Sequence, residues 1–186
     1  MRDITLLVAH PDDEILFLWA FLARAKRMIC AVSDEHNQRR RWCRRRREAF
    51  AAVGKILGIE TLCLNADSDF YRMGTRDYEL MHFCEHVMGL IDGPVATHNP
   101  WGEYGHLDHV LMHHVARTSG HRVYVTDITC QMNWLPVRPW NLGQAVETCS
   151  LDIDLFRQLK EVYDAYHCWT WSHEPVTRTR IYALDS

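Results

Sequence analysis

The chain lacks the sequence features of several protein classes. Its seven cysteines are odd in number, and none forms a CxxC pair. This pattern is typical of reduced thiols in the cytosol and argues against a disulfide framework. No basic segment followed by an apolar core opens the chain, so no signal peptide is predicted. The longest apolar stretch, Ile15 to Ala23, is too short to cross a bilayer. We therefore expect a soluble cytoplasmic protein.

Charge is nearly balanced overall, but the arginines are concentrated in one segment. The formal net charge is −3 at pH 7, which gives no general preference for polyanions. Seven arginines nevertheless lie within the nine positions from Arg39 to Arg47. At the start of a predicted helix these cations oppose the helix dipole and repel one another. The run indicates an anionic partner, such as a nucleotide diphosphate, a phospholipid head group or nucleic acid, and a solvated face is an equal alternative.

Short apolar runs alternate with amphipathic stretches along the chain. This alternation predicts parallel βαβ units and an α/β fold: a single-domain, Rossmann-like three-layer sandwich with a mostly parallel sheet flanked by helices. The 186 residues contain no repeat and no linker, so we expect one domain over 1–186. The predicted strands are Ile4–Ala9, Met28–Val32, Ile59–Leu64, a run within 93–98, Arg122–Thr126 and Ala145–Leu151, and the predicted helices are Glu14–Arg27, Trp42–Leu57, Asp77–Ile91, His106–Ser119 and Asp154–Tyr166.

Polar residues follow the first predicted strand directly, in the segment VAHPDDEILF at 8–17. A buried charge without a partner costs several kcal/mol, of order ~5, so a structural segment should avoid this pattern. In parallel sheets, however, ligands bind beyond the carboxyl ends of the strands. His10, Asp12 and Asp13 lie at such an end. An aspartate N-cap at a strand-to-helix turn is the alternative interpretation of these acids.

A second polar segment, THNPWGEYGHLDH at 97–109, follows the fourth predicted strand. We expect it at the same edge of the sheet, where His106, Asp108 and His109 would meet the first segment. Imidazole nitrogens with a carboxylate suit zinc, and three protein ligands leave an open position for water. Of the adjacent Asp12 and Asp13, one can bind metal while the other takes a proton from the water.

These segments resemble the PIG-L/LmbE-like family of zinc-dependent de-N-acetylases, whose members remove acetyl groups from N-acetylglucosamine units. AHPDDE and THNPWGEYGHLDH carry the resemblance, and KEVYDAYHCW at 160–169 adds to it. The resemblance implies one Zn²⁺ per chain, with Fe²⁺ as the alternative metal. It implies that the metal ligands are His10, Asp13 and His109.

The resemblance also implies the roles of the catalytic residues. Asp12 would be the general base, and His106 the acid or electrophile at the tetrahedral intermediate, oriented by Asp108. Tyr104 would help to polarise the amide carbonyl. Amide hydrolysis needs an activated water, a stabilised oxyanion and a proton for the departing amine, and these residue types can supply them.

Substrate-binding residues follow from looser matches to the family pattern. Glu35 stands near the position where the family commonly has a Gly-Glu pair after the second strand. Asp67 lies where the family places an acid that contacts the sugar. Family members usually carry a substrate-binding arginine in the second helix, and we assign this role to Arg45. Leu107 replaces a proline that the family often has.

Two functions remain open at this point. The first is a metal-dependent hydrolase that removes the acetyl group from an N-acetylglucosamine-type amide, free or linked to a phosphate-bearing carrier. The second is a nucleic-acid-binding protein on an inactive deacetylase scaffold, with Arg39–Arg47 as its binding surface. An inactive scaffold is expected to have lost metal ligands, whereas His10, Asp13 and His109 are all present. The sequence therefore favours the enzyme.

Overall fold

The computed structural model of the protein describes residues 2–32, 40–66, 77–130, 137–169 and 171–184. Within these ranges the chain forms seven strands, a 3-10 helix at Trp19–Arg24 and six α-helices. The strands are β1 Ile4–Val8, β2 Ala25–Val32, β3 Glu60–Ala66, β4 Val95–Thr97, β5 Val123–Thr126, β6 Glu147–Ser150 and β7 Arg178–Leu184, and the helices are α1 Asp13–Leu16, α2 Arg40–Leu57, α3 Asp77–Gly89, α4 Gly102–Gly105, α5 Leu107–Thr118 and α6 Ile153–Ala165.

The strands form one sheet in the order β3-β2-β1-β4-β5-β7-β6. Strands β1 to β5 are all parallel to one another, whereas β7 pairs antiparallel with both β5 and β6. Both faces of the sheet are covered, because Leu6 and Val8 pack into one buried cluster while Leu7 and Ala9 pack into another. This burial accounts for the continuous apolar run of β1. The predicted α/β class with a mostly parallel, helix-flanked sheet is confirmed.

Two elements differ from the prediction. The helix expected over Glu14–Arg27 is the short helix α1 followed by the 3-10 helix, and β2 already begins at Ala25. Most apolar side chains from Ile15 to Leu22 are buried, so this segment has no exposed face to give it a helical period. Strand β7 was not predicted, because only Thr179, Ile181 and Tyr182 of its residues are buried and its arginines are exposed.

The sheet order brings the two polar segments together. Strands β1 and β4 are adjacent and parallel, with Leu7 opposite Thr97. Their carboxyl ends therefore place His10 and His98 at one edge of the sheet, and the loop after β4 leads through α4 into α5. No helix among the described residues is long and apolar enough to cross a membrane.

Candidate metal and active site

The turn after β1 directs two aspartates into the interior. Asp12 has a φ of 97°, a left-handed conformation that residues with a side chain rarely adopt. Its side chain makes no capping hydrogen bond to α1, and the carboxylate of Asp13 accepts the N–H of His10 over 2.7 Å. Both side chains are buried. This geometry disfavours the interpretation of Asp12 as a helix N-cap.

Three imidazoles surround the carboxylate of Asp13. Its Oδ2 lies 3.4 Å from Nδ1 of His10, from Nε2 of His98 and from Nε2 of His109. All four residues are buried. The structure thus brings together His10, Asp13 and His109, the three metal ligands expected from the sequence, and places His98 beside them.

Each of the rings of His10 and His109 has one nitrogen near a second carboxylate, which leaves the other nitrogen for a metal. Asp108 lies 3.0 Å from Nε2 of His10, and Glu103 lies 2.8 Å from Nδ1 of His109. The other nitrogens, Nδ1 of His10 and Nε2 of His109, face Asp13. Among the described residues, Nε2 of His109 is a buried nitrogen without a hydrogen-bond partner. A buried polar atom of this kind, with a carboxylate behind its ring, fits a metal ligand.

Two overlapping groups of side chains have ligand atoms within 4.8 Å of one another: His10 with His106 and His109, and Asp13 with His98 and His109. The ligands assigned from the sequence are divided between these groups, which share His109. His98 is the weaker candidate, because its Nε2 accepts the N–H of Ala9 over 3.0 Å and its Nδ1 faces Glu103 over 3.0 Å. Both of its nitrogens are therefore occupied.

The electrostatics of the ligand group follow from these contacts. Burial lowers the pKa of His10, but Asp108 and Asp13 outweigh it and raise the pKa to about 9. Burial and the neighbouring His98 lower the pKa of His109. A metal bound here would compete with a proton on His10 and would meet a neutral His109.

Asp12, the predicted general base, lies beside this group and is held by α2. Nη2 of Arg46 donates to Oδ1 of Asp12 over 2.6 Å and also to the carbonyl of Pro11. Burial raises the pKa of Asp12 to about 6 against the opposing effect of Arg46. A carboxylate with a pKa near neutrality is suited to general base catalysis.

His106 is partly exposed at the start of α5. Its Nδ1 accepts the N–H of Asp108 over 3.2 Å, so a neutral ring carries its proton on Nε2. Burial, together with His109 and His10, lowers the pKa of His106 to about 3. This arrangement favours a neutral hydrogen-bond donor over a general acid. The carboxylate of Asp108, which we expected to orient His106, is closer to His10, at 3.0 Å compared with 3.8 Å.

A cavity of about 200 Å³ opens onto these groups. Aromatic rings form much of its wall, and Trp171 packs edge-on against Phe17 with 5.5 Å between ring centroids. Burial and nearby carboxylates raise the pKa of Tyr104, which keeps its hydroxyl as a donor. The residues that line the cavity are His10, Asp12, Asp13, Leu16, Phe17, Trp42, Arg46, Tyr104, His106 and Trp171.

The predicted substrate-binding residues are only partly described. Glu35 and Asp67 lie outside the described residues. Arg45 is not among the residues that line the cavity, whereas its neighbour Arg46 is. Consecutive helix residues point about 100° apart, so only one of the two faces the cavity, and the substrate-binding role of Arg45 stays a prediction.

Three residues of the site were not predicted from the sequence: Glu103, His98 and Arg46. Glu103 and His98 both lie inside the segment THNPWGEYGHLDH, so their position in that segment was the available signal. His82, by contrast, lies exposed on α3 beside Glu85, in neither potential ligand group of the described residues.

Comparison with protein families agrees with this geometry. The profile of the family described as PIG-L, GlcNAc-PI de-N-acetylase, matches residues 5–119, which is more than half of the chain. The chain belongs to the PIG-L family. The predicted relationship is confirmed, and the PIG-L match includes both polar segments of the site. No curated protein sequence matches the chain at a significant level.

Solved structures share the fold of this PIG-L family member at low sequence identity. A deacetylase in complex with teicoplanin is 15% identical, with a TM-score of 0.64 and coverage of 98% of both chains. N,N'-diacetylchitobiose deacetylase from Pyrococcus horikoshii is 12% identical, with a TM-score of 0.57 and coverage of 92% of this chain and 72% of that one.

A third structure carries a different activity on the same fold. It is the 4-carboxy-2-hydroxymuconate hydratase from Pseudomonas putida, which is 14% identical, with a TM-score of 0.55 and coverage of 100% of this chain and 97% of that one. Such identities show the fold alone. The reaction and substrate of the PIG-L family member therefore have to be argued from its site.

Proposed function

We propose that the protein is a metal-dependent hydrolase that removes the acetyl group from an N-acetylglucosamine-type amide. One observation carries this proposal: Nδ1 of His10 and Nε2 of His109 both face Asp13 Oδ2 at 3.4 Å, and His10, Asp12 and Asp13 line one cavity. Buried ligand-type atoms beside a carboxylate base are what metal-assisted hydrolysis requires.

His10, Asp13 and His109 would hold one Zn²⁺, with Fe²⁺ as the alternative. The donor set fits, since two imidazoles and a carboxylate are typical of catalytic zinc. A similar fold has been solved as the zinc-inhibited form of teicoplanin deacetylase, at 16% identity, so the choice of metal needs a direct test. When bound, the metal would act as a Lewis acid that makes water more acidic and polarises the amide carbonyl.

The protein's own side chains divide the proton transfers. Arg46 occupies Oδ1 of Asp12, so we assign Oδ2 to the removal of a proton from the attacking water. Nε2–H of His106 and the hydroxyl of Tyr104 donate to the oxyanion of the tetrahedral intermediate. Asp12, protonated in the first step, then returns its proton to the departing amine.

The arginine run supports a substrate with a phosphate-bearing carrier. Helix α2 has no acidic residue in its first turn, and Arg41 and Arg44 are exposed. Trp42 and Arg46 of the same helix line the cavity, so α2 lies beside the site. Nucleic acid is the less favoured partner, because Arg46 is turned inward to Asp12 and is not available on the surface. The seven cysteines carry thiols and form no disulfide within the described residues, which supports a cytoplasmic location.

The proposal is tested by incubating the purified protein with N-acetylglucosaminyl compounds, with added Zn²⁺ or Fe²⁺ and without metal. The panel contains free N-acetylglucosamine, a nucleotide-linked form and an acetylated sugar on DNA. We expect release of acetate and a free amine, detected by mass analysis, in the presence of metal. Absence of hydrolysis for the whole panel with both metals would contradict the proposal.

A further inference from the structure

Glu103 occupies a conformation that its surroundings hold in place. It is fully buried in α4 and has a φ of 53°, which is rare for a residue with a side chain. Its N–H donates to the side chain of Asn99 over 3.0 Å, and the N–H of Asn99 donates back to Oε1 over 3.1 Å. The carbonyl of Glu103 accepts the N–H of Cys130 over 2.9 Å. Backbone strain held by so many contacts is typical of functional positions.

The second carboxylate oxygen of Glu103 is shared by two stacked imidazoles. Oε2 lies 2.8 Å from Nδ1 of His109 and 3.0 Å from Nδ1 of His98, and the two ring centroids are 3.9 Å apart. An ionised carboxylate can only accept hydrogen bonds, so a ring nitrogen that is hydrogen-bonded to it must be the donor. Both Nδ1 atoms therefore carry hydrogen, and the lone pair of each neutral ring is on Nε2.

These two Nε2 atoms have different partners. Nε2 of His98 accepts the N–H of Ala9, next to His10 at the end of β1. Nε2 of His109 faces Asp13 and has no hydrogen-bond donor among the described residues. The Glu103–His98 pair thus connects the two polar segments, while the Glu103–His109 pair leaves one nitrogen free.

We propose that Glu103 is a positioning residue that fixes His109 as the Nδ1–H tautomer, so that its Nε2 can bind a divalent metal. His98 connects Glu103 to the backbone of β1 and is not a ligand. This inference rests on the metal site of the proposed function. Carboxylates behind metal-binding histidines raise ligand basicity and fix ring orientation, and their loss typically weakens metal affinity by roughly 10–100-fold.

The test uses Glu103→Gln, His98→Gln and, as a matched control, Glu14→Gln. Glu14 is equally buried and adjacent to Asp13, and its contacts are to Asp12 and Tyr163. Metal affinity is measured by competition of Zn²⁺ with a chelator, and the tautomer of His109 by the ¹⁵N shifts of its ring. We expect Glu103→Gln to weaken affinity by roughly 10–100-fold and to disturb the Nδ1–H signature. Glu14→Gln should keep both.

The variant His98→Gln tests whether His98 only connects Glu103 to β1 or is itself a metal ligand. A glutamine amide can donate to Glu103 and accept from Ala9, so affinity should stay near that of the parent protein. Loss of metal in His98→Gln, or unchanged affinity in Glu103→Gln, would overturn the inference. If Glu103→Gln does not fold, the ring shifts of the metal-free parent decide, because Nε2–H on His109 contradicts the assignment and Nδ1–H supports it. A parent protein that binds no metal overturns the proposed metal site, and the same shifts still test the role of Glu103.

Discussion

Nη2 of Arg46 donates to Oδ1 of Asp12 over 2.6 Å, so the candidate general base and a cation from α2 form a buried ion pair. Their side chains are only 11% and 5% exposed, and the guanidinium lies 4.8 Å above the ring centroid of Trp42. Removing one partner of such a pair leaves the other charge buried without compensation. One arginine of the run is thereby part of the interior of the site.

Arg46→Gln should destabilise the protein, and Arg45→Gln is the matched control. Loss of the Arg46 guanidinium leaves Asp12 unpaired, and we expect the free energy of unfolding to fall by about 3 kcal/mol. Arg45 does not line the cavity, so its replacement should stay within about 0.5 kcal/mol of the parent. Urea denaturation of both variants measures the difference. Equal midpoints and slopes would show that the ion pair does not contribute to stability.

Metal binding should depend on His10 and His109. We expect purified protein to contain close to one equivalent of divalent metal, and His10→Ala and His109→Ala to lose most of it, because each removes one of three ligands. His82→Ala is the control, since that histidine is exposed on α3. Elemental analysis of the four proteins gives the result. Full occupancy in both ligand variants would exclude these residues as ligands.

Asp12→Asn should abolish proton transfer while leaving the metal site intact. The amide keeps the shape of the side chain but cannot accept a proton near neutral pH, so turnover should fall by about 10²-fold or more. Metal content should match that of the parent, because Asp13 is the carboxylate that faces His10 and His109. Steady-state kinetics and elemental analysis are measured on the same preparation. Unchanged turnover would assign the base to another group, with Glu14 the next candidate.

Much of the site could be predicted because strand ends carry positional information. His10, Asp13 and His109 follow two strands that the alternating pattern made parallel, and adjacent parallel strands end at the same edge of the sheet. The sequence could not predict which arginine of α2 reaches the site, because the rotation of α2 about its axis decides whether Arg45 or Arg46 faces Asp12. That rotation depends on packing that the sequence does not state.

Other parts of the structure depend on tertiary contacts. Glu103 is held in a left-handed conformation by Asn99 and Cys130, and no local propensity favours glutamate there. The 3-10 helix at Trp19–Arg24 is buried on most sides, so its sequence lacks the alternation of polar and apolar residues that indicates an element type. The conformation of Glu103 and the 3-10 helix are therefore determined by tertiary burial, which local sequence patterns do not predict.

Tyr163→Phe should weaken the support of Asp12 by α6. The hydroxyl of Tyr163 donates to Oε1 of Glu14 over 2.6 Å, and Oε2 of Glu14 accepts the N–H of Asp12 over 3.0 Å. Deleting the hydroxyl leaves a buried oxygen without its donor, which should lower the free energy of unfolding by about 1–3 kcal/mol. Tyr182→Phe is the control, because Tyr182 is also buried and its hydroxyl has no hydrogen bond within the described residues. Equal urea midpoints for the two variants would show that the Glu14 contact does not stabilise the fold.

The exposed arginines of α2 should contribute to binding of a phosphate-bearing substrate. We expect the double variant Arg41→Gln with Arg44→Gln to raise KM for a nucleotide-linked acetamido sugar more than it lowers kcat, because these groups contact substrate and transition state alike. The change should be smaller at high ionic strength, where exposed charges are screened, and absent for free N-acetylglucosamine. A double variant of Arg157 and Arg178, which are exposed on other elements, is the matched control. If the α2 variant equals the control on both substrates at low and high salt, the arginine run is a solvated face, and the substrate is recognised by the cavity residues around Trp42 and Trp171 alone.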